Sequence, residues 1–208
     1  MGDAELKISL PGHCVGTVSI TDVSEQYTKA LKQIVEEENT DINAGSLKDT
    51  FKPGFVLAAA VKETTGNDKG FHKVSLTLKP SEVNGALTQS LVKKGTVMQG
   101  AVVSEEDHGF LIDVGVKGAR AFLARKKVEK FVEAALGGRT PTVGQILPCL
   151  VTKNDGGGAI SLTCDPIKLR KAAAQADEDA NVHTRLPGKA SFTVSYTFSQ
   201  SHFCNILS

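Results

Sequence analysis

Apolar and polar residues alternate in two short stretches, VMQGAVV (97–103) and FLIDVG (110–115). A period of two turns one face of each stretch toward a core and predicts half-buried strands. Extended along the chain, the pattern predicts strands over 95–104, 109–114, 119–124, 144–152 and 159–164. Between the third and fourth lies KKVEKFVEAALGG (126–138), in which Val128, Phe131, Val132 and Ala135 recur at helical spacing before Gly137. That is the signature of a short helix stopped by glycine. Five short strands with glycine turns predict a small closed or partly closed barrel, because closure hides strand edges and the helical connection plugs one end. A dinucleotide-binding βαβ unit needs longer helices between parallel strands, and the pattern has none.

The same pattern occurs earlier in the chain. PGFVLAAAVKE (53–63) matches VGQILPCLVTK (143–153), and KVSLTLKP (73–80) matches AISLTCDP (159–166). The connections TTGNDKGFH and NDGGG are rich in the Gly, Asn and Asp that hairpin turns accept. CVGTVSITDV (14–23) lies against ARAFLARKKV (119–128), and YTKALKQIVEE (27–37) has Leu31, Ile34 and Val35 at helical spacing. LKISL (6–10) reads as a second strand with too few residues before it for a first. A third likeness, between VKKGTVMQGAVVS (92–104) and RLPGKASFTVSY (185–196), is a glycine turn leading into alternating residues.

The expected organisation is therefore all-β with short helices, as tandem five-stranded barrels. Residues 1–83 form an incomplete barrel lacking its first strand, 92–165 a complete one, and 185–208 the stub of a third with a divergent tail. A helical linker is expected over 166–184, where Asp165 caps, Pro166 opens the first turn and an alanine-rich run follows.

Composition narrows the function classes only modestly. A 40% hydrophobic and 23% charged chain suits a soluble globular protein, and 5% aromatics without tryptophan limits large stacking platforms. The formal net charge is +1, which argues against a polybasic tail. Charge is uneven, with six Lys or Arg and two Glu from Ala119 to Arg139, against an acidic cluster at Glu36, Glu37, Glu38 and Asp41. Cys14, Cys149, Cys164 and Cys204 show neither CxxC nor zinc spacing, so buried thiols in a reducing compartment are expected. No basic leader or run of 18 apolar residues occurs, so a soluble intracellular protein is expected.

Catalysis finds little support. His108 stands beside Glu105, Glu106 and Asp107, but neighbouring acids on a turn are common surface chemistry. GxSxG, HExxH and GxxxxGK[ST] are absent, and NDGGG has no following Lys-Ser pair. No enzyme activity, cofactor or metal is expected.

In order along the chain, Gly100–Val103, HGFLIDVG (108–115), RAFLARKK (120–127), VGQILPCLV (143–151) and AISLT (159–163) resemble the S1 RNA-binding repeat, an OB-type barrel. SEEDHGFLIDVGVKGARAFL, the helix after it and VGQILPCLV further resemble the second S1 repeat of the Rrp5 family of ribosomal RNA biogenesis proteins. TDVSEQYTKAL matches the text after its first repeat, and the likeness covers roughly 1–195. The resemblance implies a non-catalytic RNA-binding and scaffold module in ribosomal RNA processing and small-subunit pre-ribosome assembly. Its implied partners are precursor ribosomal RNA and pre-ribosome assembly factors, without a membrane, in the nucleus and nucleolus. The alternative is a protein–protein interaction module of the pre-ribosome with little RNA contact of its own.

The resemblance puts the family's stacking positions at His108 and Leu111, its strand-three histidine near Ala124, its acidic turn residue at Asp155 and its arginine near Ala159. The family surface is thus only partly retained. His108 is either a stacking residue or a polar turn residue, and of Phe110 and Leu111 one faces the core and the other outward. Phe122 is expected in the core, and Asp155 is expected to shape its turn. The candidate RNA-binding residues are His108 and Phe110 with the cations Lys117, Arg120, Arg125, Lys126, Lys127 and Lys130. These cations either neutralise phosphates, with strong salt dependence, or form a solvated surface.

Overall fold

A computed structural model describes residues 5–10, 14–37, 47–51, 56–66 and 72–180. The expected start of a third barrel at 185–208 lies outside the described residues, as does Cys204.

The first unit is a four-stranded sheet made of β1 (Glu5–Leu10), β2 (Cys14–Ser19), β3 (Ala60–Gly66) and β4 (His72–Thr77), ordered β1-β2-β4-β3. Helix α1 (Glu25–Glu37) and the short α2 (Leu47–Thr50) fall between β2 and β3. A connection through the single turn α3 (Pro80–Val83) leads to the second unit. There, β5 (Val97–Glu106), β6 (Gly109–Asp113), β7 (Arg120–Ala124), β8 (Ile146–Asn154) and β9 (Ala159–Thr163) close into a barrel ordered β5-β6-β7-β9-β8. Helix α4 (Glu129–Phe131) continues as a wider turn over Val132–Leu136 and ends at Gly137, whose φ of 62° is the left-handed stop foreseen from sequence. Helix α5 (Pro166–Ala180) follows β9.

The two units share one pairing scheme. β1–β2 are antiparallel, β2–β4 parallel and β3–β4 antiparallel; β6–β7, β7–β9 and β8–β9 repeat this. Among the described residues no strand of the first unit occupies the place that β5 holds in the second.

The barrel core is filled from the inward phase of each strand. Phe110, Ile112, Leu123, Leu147, Ile160 and Leu162 are all buried, with Val128, Phe131 and Leu136 of the helical connection closing over them. Cys149 and Cys164 also lie inside as free thiols, with sulfurs 3.8 Å apart. Burial pushes the Cys164 thiol well up, and its contact with Cys149 adds to this. Cys14 is exposed on β2, contrary to the expectation of buried thiols throughout.

The units do not behave as beads on a string. Ala101 and Ile146 of the barrel belong to the apolar cluster of the first unit, with Leu6, Val18, Phe51 and Leu76. Polar groups lock the same junction. The buried Gln99 donates from Nε2 to the Leu78 carbonyl at 2.8 Å and accepts the Ala58 N–H at Oε1 at 3.1 Å. Asn84 donates to the carbonyls of Gln99 (2.6 Å) and Val114 (2.9 Å). Ser24 donates to the Gly144 carbonyl at 2.8 Å. Gly144 has φ +80°, and a Cβ there would stand 2.5 Å from the Tyr27 Cα, so only glycine fits against α1.

Candidate nucleic-acid interface

Each barrel strand has an outward phase, and register brings these positions into one row. Ser104 on β5 pairs with Leu111 on β6, Leu111 with Phe122 on β7, Phe122 with Ser161 on β9, and Ser161 with Lys153 on β8. Leu111 is 39% exposed and Phe122 is half-buried, while Phe110, Ile112, Ala121 and Leu123 on either side are buried. Val103, beside a register shift in β5, is 40% exposed and widens the apolar strip. The middle of the row is therefore an apolar platform bordered by two serine hydroxyls. Arg120, two residues from Phe122 on the same strand and face, adds an exposed guanidinium at one end.

This geometry corrects two aromatic expectations. Phe110 is 1% exposed and packs in the barrel core, so its ring does not meet a ligand on the surface. Phe122 is not core: Ala121 and Leu123 take the inward phase of β7, and the phenyl ring is left on the outer face. The sequence RAFLA is apolar in both phases, which hid the choice. The register Leu111–Phe122 decides it.

The remaining candidates fall into two groups at opposite ends of the β6–β7 hairpin. His108 is an exposed turn residue whose carbonyl accepts the Arg125 N–H at 3.0 Å, bringing it next to Arg125 and the exposed Lys126. Lys117 lies in the turn at the far end, beyond the Ile112–Ala121 pair, with Arg120. Four paired positions separate the ends, roughly 10–13 Å of strand. That length suits a short run of stacked bases better than one point contact.

The cations are not equally available. Arg125 forms a 2.8 Å ion pair with Glu105, donates to the Glu106 carbonyl, and holds its guanidinium 5.4 Å from the Phe110 ring centre. Lys130 is paired with Asp165 at 3.2 Å. Lys127 donates to the Thr152 hydroxyl at 3.3 Å. Lys153, at the end of the row, is paired with Asp155 at 2.9 Å, which raises its pKa through the hydrogen bond and the carboxylate charge. Asp155 thus sits in its turn holding a lysine. Among the candidate cations Lys117, Arg120 and Lys126 have neither an ion pair nor a side-chain hydrogen bond among the described residues.

On the other flank, Gln26 of α1 donates to Asp113 at 2.6 Å, so the first unit borders the platform at the end of β6. Among the described residues no cluster of three metal-ligating side chains occurs, and no helix is long and apolar enough to cross a membrane.

Comparison with known proteins agrees with this architecture. The S1 RNA binding domain model matches residues 91–165, the span of the closed barrel. The human Protein RRP5 homolog is 35% identical over 189 residues, covering 90% of this chain and 10% of the relative. Its mouse counterpart is 33% identical over the same length, with the same coverage. The Drosophila melanogaster rRNA biogenesis protein RRP5 is 27% identical over 184 residues, 88% of this chain and 12% of the relative. The chain spans about a tenth of the length of these relatives.

Proposed function

We propose that this chain, which belongs to the Rrp5 family and carries its S1 fold, binds single-stranded precursor ribosomal RNA on the outer face of β6 and β7 and has no catalytic role. The Leu111–Phe122 pair carries this reading: an apolar platform on strands two and three of an OB-type barrel, flanked by hydroxyls and by Arg120, which has no ion pair among the described residues. Bases stack on such a platform with little sequence preference, at roughly 1–3 kcal/mol per base. Lys117 and Arg120 at one end, and Lys126 beside His108 at the other, are placed to follow the phosphates. The proposed setting is ribosomal RNA processing and small-subunit pre-ribosome assembly in the nucleolus, with the junction between the units serving as a rigid scaffold.

A second reading is favoured by the charge pairing. Arg125, Lys130 and Lys153 already hold carboxylate partners, and Val103 and Leu111 are exposed apolar groups of the kind that meet protein. On that reading the strip contacts a pre-ribosome assembly factor. Fluorescence anisotropy with an unstructured oligoribonucleotide over a salt series separates the two. RNA binding that weakens with salt and with Phe122→Ala supports the first. No measurable RNA affinity at low salt overturns it in favour of the second.

A further inference from the structure

The Lys117–Arg120 end of the barrel carries a second concave surface, separate from the platform. Residues 88–94 run beside the β8–β9 turn, and an open groove of about 640 Å³ lies between them. Thr88, Ser90, Lys93 and Lys94 line one wall, and Asn154 and Gly156 the other. Gln89 places the groove next to the platform. Its Oε1 stands 3.6 Å from where a Cβ would sit on Gly118, and its Nε2 3.0 Å from one on Gly158. The Gly158 carbonyl in turn accepts the Arg120 N–H at 2.6 Å. The groove thus adjoins the start of β7, where Arg120 ends the row that contains Phe122.

Both walls are held by hydrogen bonds to the main chain. Asn154 donates from Nδ2 to the Val92 carbonyl at 2.6 Å and accepts the Gly156 N–H at Oδ1 at 2.9 Å. The Gly95 N–H donates to the Val151 carbonyl at 2.9 Å, and the Lys93 N–H to the Thr96 hydroxyl at 3.1 Å. The side chains of Lys93 and Lys94 are exposed, with neither an ion pair nor a side-chain hydrogen bond among the described residues. The Thr88 and Ser90 hydroxyls share one hydrogen across 3.0 Å, which leaves the other hydrogen for an outside acceptor. The surrounding charge has one sign. No Asp or Glu occurs over 83–104 or 114–128, and Asp155 in the turn is held by Lys153 at 2.9 Å. A Cβ on Gly156 or Gly157 would meet nothing within 4 Å, so that rim is open.

Cations and hydroxyl donors without acids suit a run of phosphodiesters. We propose that this groove binds the phosphates of the RNA strand after it leaves the platform past Arg120, with Lys93 and Lys94 as phosphate-binding residues. This role rests on the RNA reading of the platform and carries the bound strand on around the end of the barrel. Phosphate contacts position a strand without reading its bases, so the groove adds length and salt dependence rather than sequence preference. An acidic protein patch would also meet two lysines. Continuity with the row of Leu111, Phe122 and Arg120 favours the nucleic acid.

Fluorescence anisotropy of the full chain with unstructured oligoribonucleotides of two lengths tests this. One has about four nucleotides, enough for the platform, and one about ten, enough to reach the groove; both lie within the range that one OB-type barrel holds. The wild type is expected to bind the longer strand more tightly, and to lose that advantage when the added linkages are uncharged methylphosphonates. Lys93→Gln/Lys94→Gln is expected to weaken the longer strand about tenfold and to lower its salt slope by roughly 1.4, at roughly 0.7 per phosphate contact. The shorter strand is expected to bind this variant as it binds the wild type. Lys168→Gln/Lys171→Gln on α5, which follows the opposite end of β9, is expected to change neither. Equal loss on both strands, or a loss matched by the α5 variant, means diffuse attraction and overturns the proposal. So does an undiminished advantage of the longer strand in the groove variant; if Phe122→Ala then still weakens the shorter strand, the platform stands alone. No binding of either strand by the wild type overturns the platform and the groove with it.

Discussion

Leu111 and Phe122 face each other across the β6–β7 ladder and both point out of the barrel, while Phe110, the neighbour of Leu111, points in. Two phenylalanines twelve residues apart therefore face opposite ways, and on the proposed function substituting them separates stability from binding.

Phe110→Ala removes a fully buried ring and is expected to cost about 3–5 kcal/mol of stability. A lowered urea midpoint checks it. Phe122→Ala is expected to lower RNA affinity roughly 5- to 150-fold, the equivalent of losing one stacked base, with a much smaller change in midpoint. Equal destabilisation by the two substitutions would contradict the assigned phases.

Charge reversal gives a second ranking. Arg120→Glu and Lys126→Glu act on cations without ion pairs among the described residues, and each is expected to weaken RNA binding and reduce the salt slope by roughly 0.7 per lost phosphate contact on a single strand. Lys130→Gln, whose lysine is held by Asp165, is expected to change the slope far less. Anisotropy across salt concentrations measures all three slopes.

The junction makes a prediction of its own. Gln99→Leu leaves the Leu78 carbonyl and the Ala58 N–H without their partner. Each unpaired buried group costs about 1–3 kcal/mol. The expected outcome is a protein in which the first sheet unfolds before the barrel, seen as two transitions where the wild type shows one. A single transition at an unchanged midpoint would show that Gln99 does not couple the units.

Acid weakens the start of α5. Burial opposes ionisation of Asp165, but the Lys130 ammonium and the Ile167 N–H outweigh it and hold the carboxyl below its usual 3.8. A depressed folded pKa gives stabilisation that is complete above the unfolded value and lost as pH falls through the folded one. Exchange of the first-turn amides of α5 is therefore expected to accelerate below about pH 4. Asp165→Asn should remove that acid step.

The barrel was legible because its strands obey period two and its turns carry glycine. The expected 109–114, 119–124 and 159–164 appear as Gly109–Asp113, Arg120–Ala124 and Ala159–Thr163. The strands expected over 95–104 and 144–152 run about two residues later, as Val97–Glu106 and Ile146–Asn154. The proposed binding face was harder to read. FLI and AFL are apolar in both phases, so periodicity alone could not choose which ring faces out. The Gln99–Asn84 node left no sequence signal, because it joins side chains to backbone carbonyls and one N–H of segments 15 to 41 residues away. The availability of the cations was equally hidden, since Arg125 and Lys130 find their carboxylates 20 and 35 residues away.

The most direct test is an NMR titration of the full chain with an unstructured oligoribonucleotide. The largest amide and side-chain shifts should fall on Leu111, Arg120, Phe122 and Ser161, with smaller ones at His108 and Lys117. Binding with those four unmoved, and shifts confined to other surfaces, would contradict the assignment of the β6–β7 face to RNA.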